Sequence, residues 1–255
     1  MEPDDIKDGY PEIGAVDSGK NEKKDGMSFL EHVEELRWRL IKSILSVAVM
    51  GLVAFAFADQ LYKIITIPLG DVKLHYTEVT GSFYAYLKIS LFAGITGAIP
   101  IVFYQLWQFV APGLFAREKK MIIPLVFFST ILFLIGAGFC FFVVLPFALK
   151  FLIGYGAEIM TPIITISSYI SFAGLLLIAF GFAFELPILG YFFGKIGLVS
   201  SKVLGKARPY AVVVFLILAS ILSPPDIFTQ ILLAGPLYLL YEITILLVRL
   251  TGKKG

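Results

Sequence analysis

Residues 28–58 read SFLEHVEELRWRLIKSILSVAVMGLVAFAFA, and their pattern decides what kind of molecule this is. The first part is crowded with charge: Glu31, Glu34, Glu35, Arg37, Arg39 and Lys42. From Ser43 through Ala58 there is none. A charged collar followed by an apolar run marks a helix entering a bilayer, whose core about 30 Å thick takes about 20 apolar residues. Ser28 and Glu31 have capping-box spacing, so the helix has a marked start. Glu31 and Glu35 share one helical face, with Glu34 beside them. Carboxylates at a membrane surface, held behind a basic collar, suit the docking of something cationic. The plainer alternative is that Glu35 pairs with Arg39 at i,i+4 and the helix only anchors the chain.

The rest of the chain extends the membrane reading. Of 255 residues, 58% are hydrophobic and only 16% charged, with mean hydropathy +0.87. Soluble domains are about 45–50% apolar and about 25% charged. The single cysteine, Cys140, cannot form an intramolecular disulfide. With only His32 and His75 as histidines, a metal cluster lacks ligands, and no cofactor is expected. Residues 1–26 are polar and mixed in charge, without the apolar core of a signal peptide, and read as a mobile tail.

Six spans are expected: 36–58, 83–110, 121–149, 169–193, 209–222 and 226–248. Basic residues gather on one side, at Arg37, Arg39 and Lys42, at Arg117, Lys119 and Lys120, at Lys195, Lys202, Lys206 and Arg208, and at Arg249, Lys253 and Lys254. The other side has Lys63, Lys73, Lys88 and Lys150. This bias sets both termini in the cytoplasm, as an even span count requires. The fifth span, at about 1.5 Å per residue, reaches roughly 21 Å. The sixth is shortened by Glu242, which belongs at headgroup level, so the final hairpin is expected to thin the bilayer beside it. The outer segments 59–82 and 150–168 keep apolar residues (Leu61, Ile64, Ile65, Ile163, Ile164, Ile166) and are expected to pack over the helix ends.

Glu185 is the outlier, apolar on both sides. A carboxylate near a helix centre costs roughly 2.5–3.5 kcal/mol on insertion scales, so such a residue faces protein, a polar cavity or a proton path. Its plainer role is a bond to a neighbouring helix. Pro187 withholds a backbone donor at the same level. A second constellation is the aromatic belt Tyr104–Phe109 leading to Ala111-Pro112-Gly113 and Glu118. Glu118 reads either as a solvated loop residue or as a partner of Glu35. Asp226 suits a cap of the last span, and Gln230 a contact to another helix. Gly190 and Gly194 form a weak GxxxG signal. No phosphate-binding loop, serine-hydrolase elbow or zinc-protease motif occurs, which argues against an enzyme.

Five motifs, in order, resemble the TatC family of twin-arginine protein translocase subunits: Phe29–Leu40 (FLEHVEELRWRL), Tyr104–Leu114 (YQLWQFVAPGL) with Glu118, Phe184–Pro187 (FELP), Arg208–Tyr210 (RPY) and Ser223–Gln230 (SPPDIFTQ). The resemblance covers about residues 27–250. It implies an all-α integral membrane protein, six helices in a concave, glove-like bundle in the cytoplasmic (inner) membrane, followed by a short basic tail at 251–255. It implies a receptor for folded cargo bearing twin-arginine signal peptides, working with single-span TatA/TatB-type subunits, other TatC copies and membrane lipid, and no nucleic acid. By the same resemblance, Glu35, Glu118, Phe109 and Arg37 bind the signal peptide. Glu185 is the buried intramembrane glutamate, Pro68 the functional proline of the first outer loop, and Asp226 and Gln230 contact partner subunits. The competing expectation is a proton-coupled solute transporter with Glu185 as proton carrier.

Overall fold

A computed structural model of the chain describes residues 29–70, 72, 74–75, 79–113, 119–154, 163–223 and 226–251. The expected tail at 1–26 lies outside them, as do Ser28, Arg117, Glu118 and, of the expected tail at 251–255, all but Thr251, which ends the last helix. Helix dominates, and no strand occurs among the described residues. The charged collar and the first apolar run form one helix, α1 (Phe29–Ala56), with nothing between them to break it. A short helix, α2 (Ala58–Ile65), and a 3-10 turn at Ile67–Leu69 follow. Pro68 sits inside that turn, whose end is set by Gly70 at φ 62°.

The long helix α3 (Gly81–Val110) carries Pro100 without interruption. Next comes α4 (Ile122–Phe139), a π-helical stretch at Cys140–Val144, and α5 (Leu145–Gly154). Pro146 supplies the reason for the wide turn, since it has no N–H and its ring crowds the carbonyl one turn earlier. The fourth span is two helices, α6 (Ile166–Ala183) and α7 (Leu186–Lys195), parted at Phe184-Glu185 just before Pro187. Thr165 caps α6 through the Ser168 N–H at 3.3 Å. After the short α8 (Ser201–Lys206) come α9 (Arg208–Leu222) and α10 (Ile227–Thr251).

Five helical segments are long and apolar enough to cross a membrane, and the sixth, α9, has 15 residues. The expectation of one short span holds. The last helix, α10, runs to Thr251, and Arg208 at the start of α9 holds the Glu242 carboxylate through two bonds.

Packing follows the small residues. Helix α1 lies along α3, crossing where a Cβ on Gly94 would stand 2.6 Å from the Gly51 Cα. Helix α7 lies along α10 in the same way, since a Cβ on Gly190 would meet Thr244 at 2.2 Å. The weak GxxxG signal therefore marks a real helix crossing. One apolar core gathers around Ile170, Ala173, Leu176 and Leu233. A second gathers around Phe103, Trp107, Phe133 and Phe192.

The outer segments fold over the first core. Ile65 and Leu69 are buried in it, and Leu61, Ile164 and Ile166 pack against it, whereas Ile64 and Ile163 face outward. His75 joins the two segments through two backbone bonds that flank Thr165, its N–H on the Ile164 carbonyl and the Ile166 N–H on its own carbonyl, each 2.9 Å. The Tyr169 hydroxyl donates to the Ile65 carbonyl.

Gly94→Ala is expected to lower the unfolding temperature of the detergent-purified protein, costing about 1–3 kcal/mol as an overpacked contact. Gly138→Ala, whose Cβ meets nothing within 4 Å, should leave stability unchanged or slightly raised, because alanine is the better helix former. Equal effects at both positions would deny the close crossing.

Candidate functional site

Helix α1 delivers His32, Glu35 and Arg39 to one face, at spacings of three and four residues. Helix α3 runs alongside and brings Gln105 and Phe109 to the same end. Arg39 donates to Glu35 Oε1 from Nε at 2.9 Å and also from Nη2. Its Nη1 reaches Gln105 Oε1 at 3.5 Å. The i,i+4 pair raised from the sequence therefore exists, and it is tied to the neighbouring helix. His32 stacks on Phe109 with ring centroids 4.3 Å apart and an 18° interplanar angle. The His32 Nδ1 lies 3.7 Å from Glu35 Oε2.

The second carboxylate oxygen is the unfinished part of this cluster. Glu35 Oε2 is buried and accepts no hydrogen bond among the described residues. A carboxylate offers about four acceptor positions and guanidinium five donors, so Arg39 leaves capacity unused. Arg37 points outward on the other side of α1, and no ion pair joins it among the described residues. Glu118, the other expected carboxylate, lies outside the described residues.

Glu185 stands at the break between α6 and α7, only 4% exposed. Its N–H bonds the Phe182 carbonyl at 3.0 Å and its carbonyl accepts from Leu189 at 2.9 Å, so the backbone is satisfied at the break. The side chain is not. The fully buried hydroxyl of Ser129 on α4 lies beside the carboxyl, yet Glu185 Oε1 and Ser129 Oγ both lack an aligned hydrogen bond.

At the far end of the α9–α10 hairpin, Asp226 Oδ1 accepts from the Thr229 N–H at 2.7 Å, so it caps α10. Gln230 donates to the Leu216 carbonyl on α9 at 2.8 Å. Both roles expected from the residues alone are filled inside the chain. At the near end, Arg208 Nε and Nη2 hold Glu242 Oε1 and Oε2 at 2.7 and 2.8 Å, and Tyr238 donates to Oε1 at 2.9 Å.

Sequence reasoning missed the His32–Phe109 stack, the Arg208–Glu242 bridge, Ser129, and Lys88, which donates to Ser167 at 2.7 Å and Ser171 at 2.8 Å. Opposite charges on the two helices at the open end of one hairpin are a usable signal for the bridge. For the others only tertiary proximity speaks.

Three comparisons bear on this arrangement. The model of the TatC family, Sec-independent protein translocase protein, matches residues 31–236. A Sec-independent protein translocase protein TatC of Desulforapulum autotrophicum is 40% identical over 231 residues, covering 89% of this chain and 86% of that one. The protein of the same description from Aquifex aeolicus is 41% identical over 234 residues, covering 89% and 97%. A crystal structure of the twin arginine translocase receptor TatC superposes with a TM-score of 0.79 at 40% identity, covering 86% of this chain and 99% of that chain.

Removing the cap by Asp226→Ala should cost about 1 kcal/mol and speed amide exchange over residues 227–231. Asp226→Asn, which keeps the acceptor, should retain most of the protection. Hydrogen–deuterium exchange on the detergent-purified chain reads both, and equal protection in the alanine variant would deny the cap.

Proposed function

The chain belongs to the TatC family of Sec-independent protein translocase proteins, and we propose that it serves there as the receptor for twin-arginine signal peptides. The family membership itself makes it a membrane component of a protein translocase, a transport protein and not an enzyme. The relatives reported above are translocase subunits, which leaves the solute-transporter alternative without support.

The observation that carries the proposal is the half-satisfied carboxylate of Glu35 beside the Phe109–His32 stack. A guanidinium binds a carboxylate best through two parallel bonds, whereas Arg39 converges two donors on Oε1 and leaves Oε2 open. An incoming arginine takes the parallel pairing, with Phe109 and His32 as the flat surface beside it. Glu118 supplies the carboxylate for the second arginine of the pair. Arg37 sits at the headgroup level, where it orients the site. Lysine presents a point charge and lacks the fork, so the site prefers arginine.

The remaining roles follow the same division. Both termini face the cytoplasm and the membrane is the inner one, as the basic-residue bias supports. Residues 27–250 are the working membrane domain, flanked by polar tails. The short α9 and the end of α10, near Asp226 and Gln230, form the surface for single-span partner subunits. Glu185, with its unbonded oxygen in an apolar surround, is the polar contact for a partner helix. Pro68 fixes the turn that carries Leu69 into the outer core.

A fluorescent twin-arginine signal peptide added to the detergent-purified protein tests this. Glu35→Gln or Glu118→Gln, and replacement of both peptide arginines by lysine, should each weaken binding about tenfold or more, the worth of a charged hydrogen bond of about 1.5–3 kcal/mol. Arg39→Gln should strengthen binding a few-fold, because the resident guanidinium no longer competes for Glu35. Undiminished binding of the lysine peptide would overturn the assignment.

A further inference from the structure

We infer that the groove between α4 and α7 is a binding site for one anionic phospholipid, which lays an acyl chain along the groove and its phosphate at the lysine-bearing mouth. The groove holds about 450 Å³, within the range of roughly 300–1,000 Å³ typical of small-molecule sites. One wall runs from Met121 to Leu132 and the other from Pro187 to Lys195, with Leu247 between them. At 1.5 Å per residue these walls are about 16 Å and 12 Å long. Half of a hydrocarbon core about 30 Å thick is about 15 Å. The groove therefore spans a single leaflet, from headgroup level to the level of Pro187. A helix about 10–12 Å across does not fit so small a volume, whereas a single acyl chain does.

Charge is confined to the mouth. Lys195 stands on one lip, and Met121 on the other lip follows directly after the exposed Lys119 and Lys120. The Lys195 Nζ has the Tyr191 hydroxyl at 3.5 Å and that ring's centroid at 5.6 Å, both neutral partners. Among the described residues no ion pair joins any of the three lysines. The Lys195 ammonium on the lip of an apolar slot, with Lys119 and Lys120 immediately before Met121 on the other lip, complements a phosphate above an acyl chain, and basic pockets between membrane helices take anionic headgroups on this principle. A zwitterionic headgroup carries its own ammonium to the same place and loses the advantage. Among the described residues, none of those proposed above to bind a signal peptide lines this groove.

Native mass spectrometry of the full-length, detergent-purified chain offers the test, with phosphatidylglycerol and phosphatidylcholine of matched acyl chains supplied equally. The expected result is a several-fold preference for retained phosphatidylglycerol. The Lys120→Gln/Lys195→Gln pair should reduce that preference to near one, with the unfolding temperature unchanged. Lys195→Arg should keep it. Leu132→Trp, which fills the deep end, should cut retention of both lipids. Equal retention of the two lipids by the native chain overturns the proposal, as does a preference that survives the double substitution. Displacement of phosphatidylglycerol by millimolar inorganic phosphate also overturns it, by placing the affinity in the lysines without the groove.

Discussion

Inside a hydrocarbon layer no water completes a hydrogen bond, so each polar group must find its partner within the protein. Several of the side chains that interrupt the apolar spans show the rule at work. Ser90, Thr96, Thr130 and Thr244 each donate back to the carbonyl four residues earlier. Lys88 spends its ammonium on two serines of α6, Gln230 its amide on α9, and Arg208 its guanidinium on Glu242. These bonds join helices as well as satisfying groups. The two residues opening the last hairpin tie its far end, and the Arg208–Glu242–Tyr238 set ties its near end. A hairpin with one 15-residue helix holds its shape because both ends are fastened.

Exceptions to that rule are then informative. Buried side-chain atoms without a partner include Glu35 Oε2, Glu185 Oε1 and Ser129 Oγ. Leaving a buried acceptor unbonded costs about 1–3 kcal/mol, more when it is charged. Asp226 Oδ2 and Thr229 Oγ1 at the start of α10 are unpartnered as well. An ionised carboxylate costs more to leave unbonded than a hydroxyl does. Glu35 lies at the end of α1 beside an aromatic stack, and Glu185 lies at a break in the fourth span, where Pro187 already weakens the helix.

Much of this was legible in the linear chain, because hydrophobic runs and charged collars act locally. The spans, the short α9, the cap at Asp226, the interhelical reach of Gln230 and the isolation of Glu185 all follow from residue type and spacing. What escaped depends on the third dimension. His32 carries no sequence mark of its stacking partner, since Phe109 lies on another helix. Ser129 looks like one more small residue in α4 until Glu185 is set beside it. Glu242 is similar: in the chain it reads as a lone charge at headgroup level, and only the fold sets Arg208 from the start of α9 against it.

The pair of Glu35 and Arg39 connects the architecture to the proposed recognition step. A free carboxylate at the edge of a bilayer sits beside the basic collar and attracts cations without discrimination. One already clamped by a guanidinium is different. Exchanging one arginine for another is nearly neutral in bonds made and broken, so the resident pair imposes little loss on an arginine newcomer. A lysine newcomer must replace two directed bonds with one point contact, and the exchange runs uphill. The internal ion pair that reads as mere anchorage in the sequence thus sharpens the arginine preference, by setting a guanidinium as the competitor that any ligand has to match.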